Sequence, residues 1–128
     1  MKTDRELLEL AAKAAGLQLC GYSWIGENEG DEECETFEAA FVKHNPEQEL
    51  ATMWNPLTDD GDALRLAVRL GLGISFGQYA PLDVYSVYIS EVEGGDELAV
   101  GCIMNGDEFG VTRRAIVCAA ASIVENKQ

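Results

Sequence analysis

The stretch VYSVYISEVEGGDELAVGCIM, residues 84–104, constrains the fold more than any other. Val84 to Val92 is dense in β-branched and aromatic side chains, which fit a pleated, half-buried surface. Glu93-Gly94-Gly95-Asp96 follows, and adjacent glycines supply the positive backbone angles that a tight hairpin turn demands. Glu97 to Met104 then returns as the partner strand. A two-glycine connection is too short for a crossover, so this pair is antiparallel. Whatever else the chain builds must pack on an antiparallel sheet.

Three segments have helical spacing. Leu7, Leu8, Ala11, Ala12 and Ala15 recur on one face of Asp4–Ala15. Thr3 and Glu6 form a capping box ahead of that face, and Gly16 stops it. A second helix spans Asp59–Leu70, with Ala63, Leu64, Ala67, Val68 and Gly71 as its buried stripe and Arg65 and Arg69 on the wet side. Gly71 and Gly73 end it. The third helix starts at Thr112, as its cap, and runs to Glu125, with Ile116, Ala119, Ala120 and Ile123 inward. Strands are expected at Leu17–Ile25, Cys34–Val42, Leu50–Trp54 and Ile74–Tyr79, besides the hairpin. No repeat and no linker divides the 128 residues. The pattern predicts a single α+β domain: an antiparallel sheet of about four to five strands with three helices packed mainly on one face. Trp24 and Trp54 are expected in its core.

The acids of WNPLTDDGD, residues 54–62, look like metal ligands but fit a helix start better. A calcium loop needs alternating oxygen ligands and a glutamate at its twelfth position; counting from Asp59, that place is Leu70. A capped helix explains each residue. Thr58 or Asp59 accepts the free N–H groups of the first turn, and Asp60 and Asp62 lie where the helix dipole favours negative charge. Cys20, Cys34, Cys102 and Cys118 are scattered, without the close pairing of a zinc site, and read as reduced, mostly buried thiols. His44, the single histidine, sits in a polar turn with no nucleophile placed beside it. Gly71-Leu72-Gly73 ends a helix and lacks the lysine of a phosphate loop. Arg113 and Arg114 open the last helix, where cations are disfavoured, and are expected to pair with acids such as Asp107 and Glu108. No metal or cofactor is implied.

Charge points to the function class. The chain has 23 acids against 9 lysines and arginines, a formal net charge of −14. Such a chain repels phosphates, so direct nucleic-acid binding is not expected. From Glu27 to Glu49 nine acids accompany one base, Lys43; from Asp83 to Glu108 there are seven acids and no base. The other bases fall in the helical segments. The acidity therefore concentrates in loops and strands, where it makes either a solvated surface or a recognition face for a basic partner. The candidate face is Glu27, Glu29, Asp31, Glu32, Glu33, Glu35, Glu91, Glu93, Asp96 and Glu97.

RELLELAAKAAG, WNPLTDDGDALRLAVRLGLGI and GVTRRAIVCAAASI together resemble the NinX-like family of small phage- and prophage-encoded accessory proteins. Those proteins share an Ala-rich first helix, a Trp- and Asp-containing motif before a central helix, and a Thr-initiated last helix. The resemblance covers about the first sixteen residues, then 53–74 and 110–123. It implies a phage origin and carries over no catalytic residues.

The reading that follows is a non-enzymatic protein, in the bacterial cytoplasm, that binds and inhibits or modulates a host nucleic-acid-binding complex through its acidic face, in the manner of anti-CRISPR and DNA-mimic proteins. The alternative is a ligand-binding protein or enzyme with a pocket near Trp54 and His44. A third reading is a homodimer that uses Val84–Val92 as an exposed edge. The opening residues lack the apolar core of a signal peptide, and no apolar run reaches the roughly 18 residues of a membrane span.

Overall fold

The computed structural model describes residues 2–26, 36–44, 47, 49–78, 85–91, 97–103 and 107–126. They form α1 (Asp4–Ala15), β1 (Gln18–Gly26), β2 (Thr36–Lys43), β3 (Thr52–Trp54), α2 (Asp60–Leu70), β4 (Leu72–Gln78), β5 (Tyr85–Glu91), β6 (Glu97–Cys102) and α3 (Glu108–Asn126).

The α+β class is as expected, but the strands form two sheets of three instead of one of four or five. The orders are β1-β2-β3 and β4-β5-β6, and every neighbouring pair is antiparallel. Alternation within a strand reveals a buried face. It does not reveal which strands share a ladder, because that pairing is non-local. The expectation of no repeat also needs correction at the level of architecture: a helix followed by a three-stranded antiparallel sheet occurs twice, and α3 comes last.

Both repeats turn from helix to strand in the same way. Gly16 ends α1 with φ 73°, and its N–H donates to the carbonyls of Ala12 and Lys13. Gly71 ends α2 with φ 65°, and its N–H donates to those of Ala67 and Val68. Only glycine takes this left-handed conformation without strain, and a leucine then enters the strand. Thr3 caps α1 by accepting from the Glu6 N–H at 3.2 Å, as the capping box predicts.

The helices lie against the inner faces of both sheets. α3 is apolar on nearly every side, with Ala115, Ile116, Val117, Ala119, Ala120, Ala121 and Val124 buried, the pattern of a helix enclosed by neighbours. It packs on α1, α2, β5 and β6. Leu7, Leu8 and Ala11 from α1, Val42 and Trp54 from the first sheet, and Val87 and Ile89 from the second join one buried cluster around it. Small residues allow this close approach. A Cβ on Gly101 of β6 would lie 2.6 Å from Val111 Cγ1, so the glycine is what lets α3 settle on the sheet.

Several expectations change. α3 begins at Glu108, a turn before Thr112; the Thr112 hydroxyl instead donates to the Glu108 carbonyl at 2.6 Å inside the helix. The Val84–Val92 strand is no sheet edge, since β5 sits between β4 and β6, so the dimer reading loses its edge. Cys20 and Cys102 are exposed and Cys118 half-buried, because the first two occupy strand positions that no helix covers. Cys34 and the Trp24 side chain lie outside the described residues. Trp54 is buried, at 2% exposure. Among the described residues no helix is long and apolar enough to cross a membrane.

Candidate functional site

The motif before α2 is consumed in holding the fold. Asp59 caps the helix, its carboxylate accepting from the Asp62 N–H at 2.8 Å. Asp62 reaches back and accepts from the Asn55 N–H at 2.9 Å. The Asn55 side chain accepts from the Leu57 N–H at 3.0 Å, and its carbonyl accepts from the N–H groups of Thr58 and Asp59. Asp60 pairs with Arg113 of α3. Each carboxylate thus has a structural partner, and the described residues contain no His, Cys, Asp and Glu cluster able to hold a metal ion.

Arg113 and Arg114 are ion-paired as expected, but not to Asp107 and Glu108. Arg113 bridges to Asp60, and Arg114 to Asp4 at 2.9 Å, because α3 starts early and turns both guanidinium groups toward the other two helices. Lys2 pairs with Glu125 and Arg65 with Asp62. These cations knit the helical layer together. The second sheet has none: from Arg69 to Arg113 the sequence contains no intervening Lys, Arg or His.

Two of the ten candidate acids, Glu91 and Glu97, fall among the described residues. The other eight (Glu27, Glu29, Asp31, Glu32, Glu33, Glu35, Glu93 and Asp96) lie outside them. Glu91 ends β5 and Glu97 begins β6. Leu72 pairs with Glu91, and Ser90 with Glu97, so both acids stand at one end of the second sheet. A second group of acids reads in the sequence as a helix start at Asp59, Asp60 and Asp62 and as ion-pair partners at Asp107 and Glu108. Asp59, Asp60 and Asp62 at the start of α2 and Asp107 and Glu108 at the start of α3 gather at neighbouring helix ends, where Asp60 and Glu108 line a common groove.

That groove, of about 340 Å³, runs between α2, the first turns of α3 and strand β4. Its walls are Ala63, Leu64, Ile74, Phe76, Phe109 and Ile116. Much of this apolar lining is open to solvent: Phe109 is 66% exposed and Phe76 46%. Phe76 stacks on Tyr85, ring centroids 6.4 Å apart. A second groove, of about 390 Å³, lies on the other side of α2 and is lined by Ala15, Leu17, His44, Trp54, Val68 and Arg69 among others. Leu64 lines both. Among the described residues neither wall includes a cysteine, and the second includes no carboxylate.

The ridge between the grooves overturns a sequence expectation. Leu64 and Val68 belong to the predicted buried stripe of α2, yet they are 60% and 73% exposed, while Ala63, Leu66 and Ala67 face the core. Leu66 takes the inward place because α3 and α1 approach α2 from that side. The helix therefore carries apolar side chains on two faces, and one of them is covered by described residues. No family model, curated protein or solved structure matches this chain.

Proposed function

We propose that this chain is a non-enzymatic binding protein whose acidic sheet end and neighbouring loops engage a basic protein surface. The partner class is a nucleic-acid-binding complex, whose phosphate path an acidic protein occupies, and the NinX-like resemblance makes a bacterial host the source. One observation carries the reading: Lys2, Arg65, Arg113 and Arg114 are held in ion pairs within the helical layer, while the second sheet has no basic residue and Glu91 and Glu97 at one end. A uniformly solvated acidic surface would not need this division.

The test combines Glu32→Lys, Glu33→Lys and Glu35→Lys with Glu93→Lys, Asp96→Lys and Glu97→Lys. Binding to host nucleic-acid-binding complexes is measured by calorimetry at several salt concentrations, with duplex DNA as competitor. Loss of binding in the variant, steep salt dependence and displacement by DNA support the reading. Binding unchanged by all six reversals ends it.

A second reading, a small-ligand site, is favoured by the groove that joins His44 and Trp54 as the alternative anticipated. Its described lining, apolar around His44, Arg65 and Arg69, supports binding of a small ligand.

A further inference from the structure

We infer that the free edge of β4, with the apolar groove beside it, receives an extended segment of the basic partner; this deepens the proposed function and rests on it. β4 is an outer strand of its sheet, so its outward N–H and C=O groups meet no strand among the described residues. Its sequence, LGISFGQ, carries no charge and no proline, and its register with β5 is unbroken. Charge, proline and a bulge are devices by which proteins guard an edge, and β4 has none of the three. β6, the opposite edge, opens with Glu97 and has a register shift beside it.

The apolar side chains nearby agree. Ile74 and Phe76 share the face of β4 that looks onto the groove, and Leu64, Phe109 and Ile116 complete it. Contiguous exposed apolar surface of this kind marks a place where something docks, and aromatic residues are the usual anchors. Leu64, from the α2 stripe that the sequence builds for burial, lies open in this groove, and Val68, one turn on, is open beside it in the other. A segment added to β4 would give the groove side chains a cover that no described residue supplies.

Charge selects the occupant. Asp60 and Glu108 line the groove with Arg113, two carboxylates to one cation, and Asp59, Asp62 and Asp107 belong to the same two helix starts. Glu91 stands at the other end of the sheet, paired in register with Leu72 where β4 begins. β4 spans the distance between, seven residues or about 20 Å at ~3.3 Å per residue. A second copy of this chain would bring acids to both ends, so a copy fits poorly. The segment that fits is extended and pairs its backbone with β4. It has alternate large apolar residues toward Phe76 and Phe109, and lysine or arginine at its ends.

The test uses a random dodecapeptide library displayed on filamentous phage and selected on the purified chain. Selections run in parallel on Phe76→Ser/Phe109→Ser, on Leu64→Ser/Val68→Ser and on Glu91→Lys/Glu97→Lys; circular dichroism confirms that each is folded. The expected result is enrichment of peptides that alternate β-branched or aromatic residues and carry excess Lys and Arg. Affinity of the best synthetic peptide should fall at least tenfold with each apolar double variant, and likewise when alternate peptide amides are N-methylated. Sedimentation velocity should show a monomer. Three results would overturn the inference: no basic alternating enrichment, affinity indifferent to the apolar variants and to N-methylation, or a dimer that the apolar variants dissociate. If affinity falls only with Glu91→Lys/Glu97→Lys, the acidic-face reading survives and the β4 site does not.

Discussion

Arg113 of α3 grips the start of α2 twice: its Nε donates to the Leu57 carbonyl at 2.9 Å, and its Nη1 meets the Asp60 carboxylate. A residue read from sequence as an awkward cation at a helix start is thus the clasp between two helices. The Leu57 carbonyl is half-buried and precedes the cap, so losing its donor leaves a polar group short of a partner. Arg113→Ala should destabilise the fold by about 1–2 kcal/mol, with most of that from the carbonyl bond, because the Asp60 side chain is largely exposed. Arg113→Lys should recover little, since a single ammonium cannot span both acceptors. Urea unfolding followed by circular dichroism measures both.

The cap supplies a second prediction. Asp59→Ala should cost about 1 kcal/mol, and Asp62→Ala a similar amount through the lost bond to Asn55. Because both carboxylates face Arg65, Asp62 at 2.8 Å and Asp59 at 3.8 Å, the two changes share a partner, and the double variant should lose less than the sum. Calcium should leave the melting temperature of the wild-type chain unchanged. A rise of several degrees on adding calcium would restore the metal reading of these acids.

Packing at Gly101 gives a third. Its Cβ position lies 2.6 Å from Val111 Cγ1 and 3.2 Å from Val87 Cγ1. Val87 is fully buried and Val111 partly buried against the core, so room for a methyl must come from displacing packed side chains. Gly101→Ala should cost roughly 1–3 kcal/mol from overpacking. Adding Val111→Ala should return part of the loss, which would distinguish a steric cause from a change in strand propensity.

The thiols give a fourth. Burial pushes the Cys118 thiol above its ordinary range, with nearby Arg114 and Lys2 opposing the shift. The folded chain therefore favours the neutral thiol. The stability linked to that preference is complete below the ordinary thiol range and is lost as pH rises through the Cys118 value. Iodoacetamide at pH 8.5, read site by site by peptide mass spectrometry, should modify the exposed Cys20 and Cys102 well before Cys118. Wild type should lose more stability than Cys118→Ala between pH 8 and pH 10.

Local chemistry was legible in the sequence and long-range pairing was not. The Thr3 capping box, the Asp59 cap and the glycines at 16 and 71 act within a few residues, and the structure places each where the pattern does. Splitting six strands into two sheets depends on which ladders close, and periodicity carries no such information. The early start of α3 was hidden because Phe109-Gly110 breaks the apolar spacing, and Thr112 resembles a cap. The α2 stripe failed for a different reason: Leu64 and Val68 repeat at the same interval as Ala63 and Ala67, so spacing alone cannot say which face another element will cover. Of the candidate site, the two described acids share one sheet end as the hairpin implied, whereas the β4 groove needed three elements brought together from distant parts of the chain.

The central place of α3 bears on how the chain is made. Asp4 meets Arg114 across 110 residues, and Lys2 meets Glu125. On the ribosome, both helix-and-sheet units emerge before the helix that their inner faces rest on. Until α3 clears the exit tunnel, Leu7, Leu8, Val87 and Ile89 have no α3 surface to close against. Productive folding therefore waits for α3 to emerge, and the nascent chain is at its stickiest just before it does.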